Sequence, residues 1–196
     1  MKMILINIIN VVFLLSSCAN GENRNLSNAG EEINRVESVK TDMVGMNRKN
    51  VLNGMLSVLI PDDFTLMTNE EKQLKYPGQN APQEVWANKD RDINISFSNT
   101  NQPLPESELE MYIKQVAEGV KANISGSRWY GANTSTFNGL KVGVIEFESP
   151  AQDGNIYNLM CFTCIKGKLI MYSFNCLAKD KEKLFSISKQ IVESVK

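Results

Sequence analysis

Histidine is absent from this 196-residue sequence, and the charges nearly cancel, with 21 basic and 22 acidic side chains. Without histidine the chain cannot build a Ser–His or Cys–His nucleophile pair, and it cannot ligate zinc or haem through imidazole. A net charge of −1 gives no electrostatic reason to expect DNA, RNA or an anionic membrane surface as a partner. An apolar content of 42% is enough for one ordinary hydrophobic core. The composition therefore excludes several classes of enzyme and selects none.

The sequence also lacks an apolar run long enough to cross a bilayer stably, which takes about 20 residues. Its early apolar stretch, residues 3–15, follows the charged Lys2 and is interrupted by Asn7 and Asn10. A basic start followed by a short apolar run predicts a secretory signal peptide over residues 1–17. A buried apolar helix is the alternative.

The predicted signal peptide ends in Leu15-Ser16-Ser17-Cys18, which resembles the lipobox of bacterial lipoproteins. The resemblance implies cleavage before Cys18 and a diacylglyceryl group on its sulfur, so that lipid chains tether the protein to a membrane. An ordinary cleaved signal peptide beside an incidental Cys18 is the alternative. The expected location is the bacterial cell envelope, and in a Gram-negative cell the outer membrane or the periplasmic face.

The rest of the chain divides into a tether and a domain. Residues 18–50 are expected to contain the lipidated Cys18 and a polar tether, because the part up to Gly30 is rich in Asn, Gly and Ser. Apolar residues then recur at helical spacing over 31–44, which indicates either a short helix or an unfolded stretch. Residues 51–196 are expected to form one folded domain.

Apolar periodicity in this domain predicts seven strands and two helices. Short turns, such as the one expected at Lys166-Gly167, make the sheet mainly antiparallel. Residues 159–165 are apolar at nearly every position and need cover on both faces. In the strand at 92–98, by contrast, Asn94, Ser96 and Ser98 alternate with apolar residues and predict a wet face. The fold class is therefore α+β, a mainly antiparallel sheet covered by helices. The strands are expected at 55–60, 84–88, 92–98, 129–137, 142–148, 156–165 and 168–177, and the helices at 106–122 and 181–195.

Three stretches of the domain share local patterns with a known group of proteins. They are Leu59-Ile60-Pro61-Asp62-Asp63-Phe64, Asn138-Gly139-Leu140, and Gly167-Lys168-Leu169 leading to the closing helix. In these patterns and in the order of its elements the chain resembles the PsbP-like group, which includes the photosystem II extrinsic subunit, the eukaryotic Ran-release factor and bacterial DcrB-like lipoproteins. The resemblance implies an α/β/α sandwich and a non-enzymatic binding or assembly role. It carries over no catalytic residue.

Cys161 and Cys164 have the spacing of a C-x-x-C motif, but strand alternation places their side chains on opposite faces of the sheet. If the expected turn is correct, Cys176 lies opposite Tyr157, about 13 Å along the strand from Cys161. That separation exceeds the roughly 7 Å between Cα atoms that a disulfide tolerates. We therefore expect three free and buried thiols, no metal site and no cofactor.

Two pairs of residues invite a functional interpretation. Glu146 and Glu148 project from one strand face as a pair of carboxylates, but strand ends that reach solvent commonly carry such residues, so no catalytic residue is predicted. Trp129 and Tyr130 follow a loop rich in Ser and Gly. They either anchor a binding partner or cover the sheet with one ring packed inward. They are the candidate partner-binding residues.

Together these features predict a membrane-anchored, non-enzymatic lipoprotein that binds a protein or a small ligand at the cell envelope. A protein is the favoured partner and nucleic acid is not expected. The alternatives are an accessory chaperone or immunity protein for a secreted effector, as in some DcrB-like proteins, and an envelope hydrolase with an unconventional site. The partner's identity and the oligomeric state stay open at this point.

Overall fold

A computed structural model describes residues 45–78, 80–152 and 154–196. The expected signal peptide, the lipidated Cys18 and the stretch 31–44 lie outside the described residues. In the described ranges, no helix has both the length and the apolarity that crossing a membrane requires. The strands are β1 (Met46–Val51), β2 (Leu56–Pro61), β3 (Thr65–Leu66), β4 (Glu84–Ala87), β5 (Asn94–Pro103), β6 (Arg128–Phe137), β7 (Leu140–Ser149), β8 (Ile156–Ile165) and β9 (Lys168–Leu177), and the helices are α1 (Asn69–Lys75), α2 (Leu109–Asn123) and α3 (Lys181–Glu193).

Seven strands form one antiparallel sheet in the order β3-β4-β5-β9-β8-β7-β6. The strands β1 and β2 pair only with each other, as a separate antiparallel hairpin. Strands β6 to β9 follow one another along the chain and lie side by side. Strand β5 pairs with β9, although three other strands lie between these two in the sequence. The predicted α+β class with an antiparallel sheet is confirmed, and β3 and β6 are the edges of the sheet.

Helix α2 covers one face of the sheet, which we call the α2 face. Its buried side chains recur three or four positions apart and form the stripe that an amphipathic helix needs. The helix comes very close to β7 at Gly143, where an added Cβ would lie 2.2 Å from Cγ1 of Ile113. The glycine therefore sets the distance between the helix and the sheet. The buried residues of α2 are Leu109, Tyr112, Ile113, Val116, Ala117, Gly119 and Val120.

Helix α3 and the β1–β2 hairpin together cover the opposite face, which we call the α3 face. The last residue, Lys196, exchanges two backbone hydrogen bonds with Ser57 of β2, at 3.1 and 2.9 Å. Ser194 adds a third connection, because its Oγ accepts a hydrogen bond from the backbone N–H of Leu59 at 2.8 Å. The predicted sandwich therefore has a helix on one side and a mixed layer of helix and hairpin on the other.

Three elements escaped sequence-based prediction: β1, β3 and α1. Strand β1 begins at Met46, ahead of Val51, where the sequence predicts that the folded part begins. Helix α1 buries none of its residues and so has no apolar stripe to detect. A capping box defines its start, in which the Thr68 side chain accepts from the Glu71 N–H and the Glu71 carboxylate accepts from the Thr68 N–H.

The predicted turn between β8 and β9 is confirmed, and so is the register on which the cysteine argument depends. Ile165 lies opposite Lys168, and Cys176 lies opposite Tyr157. The thiols of Cys161, Cys164 and Cys176 are free and buried.

The predicted wet face of β5 is wrong. Asn94 and Ser96 are buried on the α2 face, where Tyr76 packs beside the neighbouring Val85 and Ala87 of β4. Tyr76 donates a hydrogen bond from its OH to Oδ1 of Asn94 at 2.8 Å, which supplies one polar partner there. Hydrogen bonding compensates for the loss of water at Asn94 and Ser96, whereas the buried Oγ of Ser98, the third polar residue of this face, has no hydrogen-bond partner among the described residues.

A chain of hydrogen bonds continues from Ser96 across four strands. Its Oγ lies 2.8 Å from Oγ of Ser173, which itself donates to Oδ1 of Asn175 at 2.9 Å. Because a hydroxyl has one proton, Ser96 must be the donor in the first of these bonds. The amide of Asn175 then donates to Oδ1 of Asn158 at 2.7 Å, and the amide of Asn158 donates to Oγ of Ser149 at 3.0 Å. Every donor in this chain of neutral groups therefore points in one direction, from β5 to β7.

Candidate functional site

Trp129 and Tyr130, the two residues singled out in the sequence, lie at the start of the edge strand β6. The register between β6 and β7 shifts here, since Trp129 faces Phe147 and Gly131 faces Glu146. Tyr130 is therefore the extra residue of a β-bulge, a feature that turns side chains locally out of the regular alternation. The two rings are both half-buried, and they lie on opposite faces of the sheet.

Trp129 packs on the α2 face. Its ring stacks against Phe147, with centroids 6.4 Å apart and planes inclined by 17°. The Nζ of Lys121, near the end of α2, lies 4.6 Å from the centre of the Trp129 ring, within cation–π range. The ring thus connects the sheet edge to the helix.

Tyr130 packs on the α3 face, in a group of five residues that we call the edge cluster: Tyr130, Glu146, Glu148, Tyr157 and Lys181. The hydroxyl of Tyr130 donates a hydrogen bond to Oε1 of Glu148, a carboxylate only 7% exposed. The hydroxyl of Tyr157 donates to Oε1 of Glu146 at 2.9 Å. Each carboxylate that the sequence offered as a catalytic candidate therefore accepts a hydrogen bond from a tyrosine.

Lys181 completes the edge cluster from the first residue of α3. Its Nζ lies 3.5 Å from the centroid of the Tyr130 ring, 5.2 Å from that of Tyr157, and 3.5 Å from Oε1 of Glu146. A cation in the first turn of a helix opposes the helix dipole, so these contacts must offset that cost. Arg128 adds a second cation, with its guanidinium carbon 5.3 Å from the Tyr130 centroid, and its side chain is exposed.

The surroundings of the two tyrosines make them poor acids. Burial raises the pKa of Tyr157 above its usual value, and the neighbouring charge of Glu146 raises it further. The pKa of Tyr130 is also raised, by loss of solvent first and by its hydrogen bond to Glu148 second. Both hydroxyls therefore stay protonated at neutral pH and serve as hydrogen-bond donors to the carboxylates.

The three cysteines of the described ranges do not offer reactive groups either. Burial raises the pKa of the Cys161 and Cys164 thiols, and it raises that of Cys176 to about 12. A thiolate is the reactive form, so these thiols are unreactive near pH 7. Across the described ranges, no cluster of three or more acidic or cysteine side chains is arranged to hold a metal ion.

Sequence analysis identified Tyr130, Glu146 and Glu148 separately and missed that they meet. It also missed Arg128, Tyr157 and Lys181 as members of the same surface. Two signals were available. The β8–β9 turn places β8 beside β9, and a lysine at a helix start is unusual because its charge opposes the helix dipole.

No family model matches the sequence, and no curated protein matches it. Among solved structures, it is similar to CyanoP, the cyanobacterial PsbP of Synechocystis sp. PCC 6803, at 14% identity. The match covers 84% of this chain and 98% of CyanoP, with a TM-score of 0.53. The chain has a PsbP-like fold. The fold that the sequence resemblance implied is therefore confirmed, and at this identity the likeness extends to the fold alone.

Two further solved structures share the PsbP-like outline more loosely. One is LpqN of Mycobacterium tuberculosis, described as involved in cell envelope biogenesis, with 14% identity over 71% of this chain and 81% of LpqN and a TM-score of 0.43. The other is the Ran-binding protein Mog1p of Saccharomyces cerevisiae, with 12% identity over 78% of this chain and 96% of Mog1p and a TM-score of 0.41. At these TM-scores neither likeness bears on the function of this chain.

Proposed function

We propose that this chain is a lipid-anchored, non-enzymatic binding protein of the bacterial cell envelope, which holds a protein partner at the start of β6. The observation that carries the proposal is the placement of Trp129 and Tyr130. They lie half-buried at the free edge of the sheet, one on each face, beside the exposed Arg128. Aromatic residues and arginine are the types most often found where a protein interface gains its binding energy.

The charges of this surface favour an acidic partner. Glu146 and Glu148 each accept a hydrogen bond from a tyrosine hydroxyl. Lys181 is largely buried, with 15% of its side chain exposed. Arg128 beside Tyr130 and Lys121 over Trp129 are the exposed cations next to the aromatic pair. A partner segment that offers a carboxylate to this guanidinium and an apolar side chain to the rings would complement the surface.

The proposal includes the absence of enzymatic activity. The burial and hydrogen bonding of the candidate catalytic groups support it. The chain has no histidine, and its three described thiols are buried with raised pKa values. The two paired glutamates already have tyrosine partners, so they are held in place as acceptors. A general acid or base would have to come from groups that are free to exchange protons near neutral pH.

Membrane attachment is supported by the first 18 residues of the sequence. The charged start, the short apolar run and the lipobox-like end at Cys18 agree with a lipoprotein signal. Two or more acyl chains hold a protein durably on a bilayer, whereas a single chain does so only marginally.

The binding proposal is tested by placing a photo-crosslinking residue at Ser125, which is exposed in the loop before β6, in the full chain in intact cells. We expect a discrete crosslinked protein whose yield falls at least fivefold when Arg128→Glu is added. The matched control pair is a crosslinker at Lys89, an exposed residue of the β4–β5 turn, and the substitution Lys89→Glu. Equal products from both positions, or a product that Arg128→Glu leaves unchanged, would show that the surface binds no specific partner.

A further inference from the structure

Three Asn-Gly pairs occur in the sequence, and they begin at Asn20, Asn53 and Asn138. Asparagine is a chemically labile residue, and a following glycine favours its deamidation because no Cβ shields the attacking backbone nitrogen. The first pair lies outside the described residues. The second lies in the turn between β1 and β2, and the third forms the turn between β6 and β7. The structure therefore presents the same dipeptide in two hairpin turns.

The two turns have nearly the same backbone conformation at this dipeptide. Asn53 and Asn138 have φ of 56° and 50°, and the glycines that follow them, Gly54 and Gly139, have φ of 82° and 85°. All four residues are exposed. A Cβ added at either glycine would meet no atom within 4 Å, so a small ring has room to form in both turns. Backbone conformation and space therefore do not distinguish the two pairs.

The hydrogen bonds of the side chains do distinguish them, and they restrain Asn138. Its Nδ2 donates to the backbone oxygen of Glu193 at 2.8 Å and to that of Val195 at 3.0 Å, at the end of α3. Both protons of the amide are therefore engaged. Attack by the nitrogen of Gly139 on Cγ of Asn138 would break or distort both bonds, so Asn138 is protected while the end of α3 stays in place.

The side chain of Asn53 has no such restraint. It is exposed and makes no hydrogen bond to another residue of the described ranges. The attacking nitrogen belongs to Gly54, whose N–H donates to the backbone oxygen of Val51 at 3.1 Å, and this bond must open before the attack. It is a single bond in an exposed turn, where local opening requires little free energy.

We infer that Asn53 is a deamidation site of the folded protein, whereas Asn138 is protected. The backbone nitrogen of Gly54 loses its proton and bonds to Cγ of Asn53, and Nδ2 leaves as ammonia. Water then opens the resulting succinimide ring and gives aspartate or isoaspartate. One water is consumed, one ammonia is released and no electron is transferred. This inference is independent of the proposed function, because the β1–β2 turn is no part of the surface at the start of β6.

The modification changes how the hairpin is attached to the sheet. The backbone N–H of Leu52, the residue before Asn53, donates to Oε1 of Glu84 on β4 at 2.6 Å. A carboxylate at position 53 places a second negative charge one residue from the N–H that Glu84 binds, and like charges repel. Isoaspartate also adds a methylene group to the backbone of the turn. Deamidation should therefore weaken the contact between Leu52 and Glu84 and loosen the hairpin.

Peptide mapping by mass spectrometry, after incubation of the purified full chain in detergent, tests the site. Deamidation replaces NH2 by OH and so changes the peptide mass, and cleavage after Lys and Arg separates the three Asn-Gly pairs. In the folded protein we expect conversion at Asn53 to be at least fivefold faster than at Asn138. In urea the two rates should become similar, because unfolding removes the hydrogen bonds of Asn138. Equal rates in the folded protein, or faster conversion at Asn138, would overturn the inference.

Amide hydrogen exchange tests the consequence for the hairpin. Asn53→Asp reproduces the new charge without incubation, and it should make the backbone amide of Leu52 exchange at least threefold faster, as measured by NMR. Glu84→Gln serves as the matched background because it removes the second charge, and Asn53→Asp should have a smaller effect there. Unchanged exchange in Asn53→Asp, or the same effect in both backgrounds, would show that deamidation does not act through Glu84.

Discussion

At the scale of single residues, the neutral hydrogen-bond chain from Ser96 to Ser149 explains how polar side chains are accommodated inside this sheet. Asn158 and Asn175 lie directly opposite one another on β8 and β9, and each is both donor and acceptor. A buried amide without partners is costly, whereas one with all its partners costs little. The chain therefore stabilises one relative arrangement of four strands.

Removal of Asn158 breaks this chain at its centre. Asn158→Ala leaves the amide of Asn175 without its acceptor, and we expect the free energy of unfolding to fall by about 1–3 kcal/mol. Urea unfolding followed by circular dichroism measures the change. The exposed Asn50→Ala serves as the control and should stay within about 0.5 kcal/mol of the unchanged protein. If both variants lose the same stability, the buried chain has no special role.

The buried thiols and tyrosines predict that the free energy of unfolding falls at alkaline pH. The pKa of Cys176 is raised to about 12 and that of Tyr112 to about 12, in both cases mainly by burial. The folded state therefore keeps these protons at a pH where the unfolded chain has lost them, so it binds more protons than the unfolded state. The stability that these groups contribute is complete below pH 9 and is lost as the pH rises from about 9 towards 12.

Unfolding free energies measured between pH 6 and 11 test this dependence. Up to about pH 8.5 these groups should not make the free energy of unfolding change with pH. Above pH 9 the free energy of unfolding should decline. Cys176→Ala removes one of the protons concerned and should make the decline between pH 9 and 10.5 shallower. An identical slope in that variant would contradict the burial of its thiol.

At the scale of elements, the contact between α2 and β7 sets the thickness of one layer. Ile113 lies where a Cβ of residue 143 would be, so only glycine allows the observed distance between helix and strand. Gly143→Ala forces the helix outward, and we expect a loss of about 1–3 kcal/mol in the free energy of unfolding.

Gly131 provides a matched control for this change, because an added Cβ there meets no atom within 4 Å. Gly131→Ala on β6 should therefore alter stability by less than about 0.5 kcal/mol. Ile113→Ala removes both Cγ1 and Cδ1, so the loss in the Gly143→Ala, Ile113→Ala double variant should be smaller than the sum of the two single losses. Simply additive losses would mean that the close approach of Ile113 is not the cause.

At the scale of the whole molecule, the proposed attachment to a membrane rests on the first 18 residues of the sequence. Cys18→Ala removes the expected lipid attachment point, and the protein should then be released from the membrane fraction or persist as an uncleaved precursor. Cell fractionation and intact-mass measurement follow both results. Cys164→Ala, which removes a different thiol, should leave the anchor unaffected. A mature, unsubstituted protein with an unmodified Cys18 would refute the lipoprotein interpretation.

The positions of most strands and helices follow from the sequence, because they depend on residues that are neighbours along the chain. The apolar runs of β8 and β9, the Lys166-Gly167 turn and the stripe of α2 are local patterns, and they predict the α+β class and the cysteine register. Helix α1 and strand β3 bury little and leave no such pattern, so only the folded chain shows them.

The candidate site belongs to the tertiary structure. The sequence places Trp129 and Tyr130 in one strand, but only the order of strands makes that strand an edge. Lys181 reaches Tyr130 because α3 begins above the end of β7, a contact between distant parts of the chain. Asn94 and Ser96 are buried for the same kind of reason, since residues distant in sequence, such as Tyr76, pack over this face of the strand and decide whether it meets water. Local patterning determines which elements form, and the long-range packing of those elements decides which side chains meet.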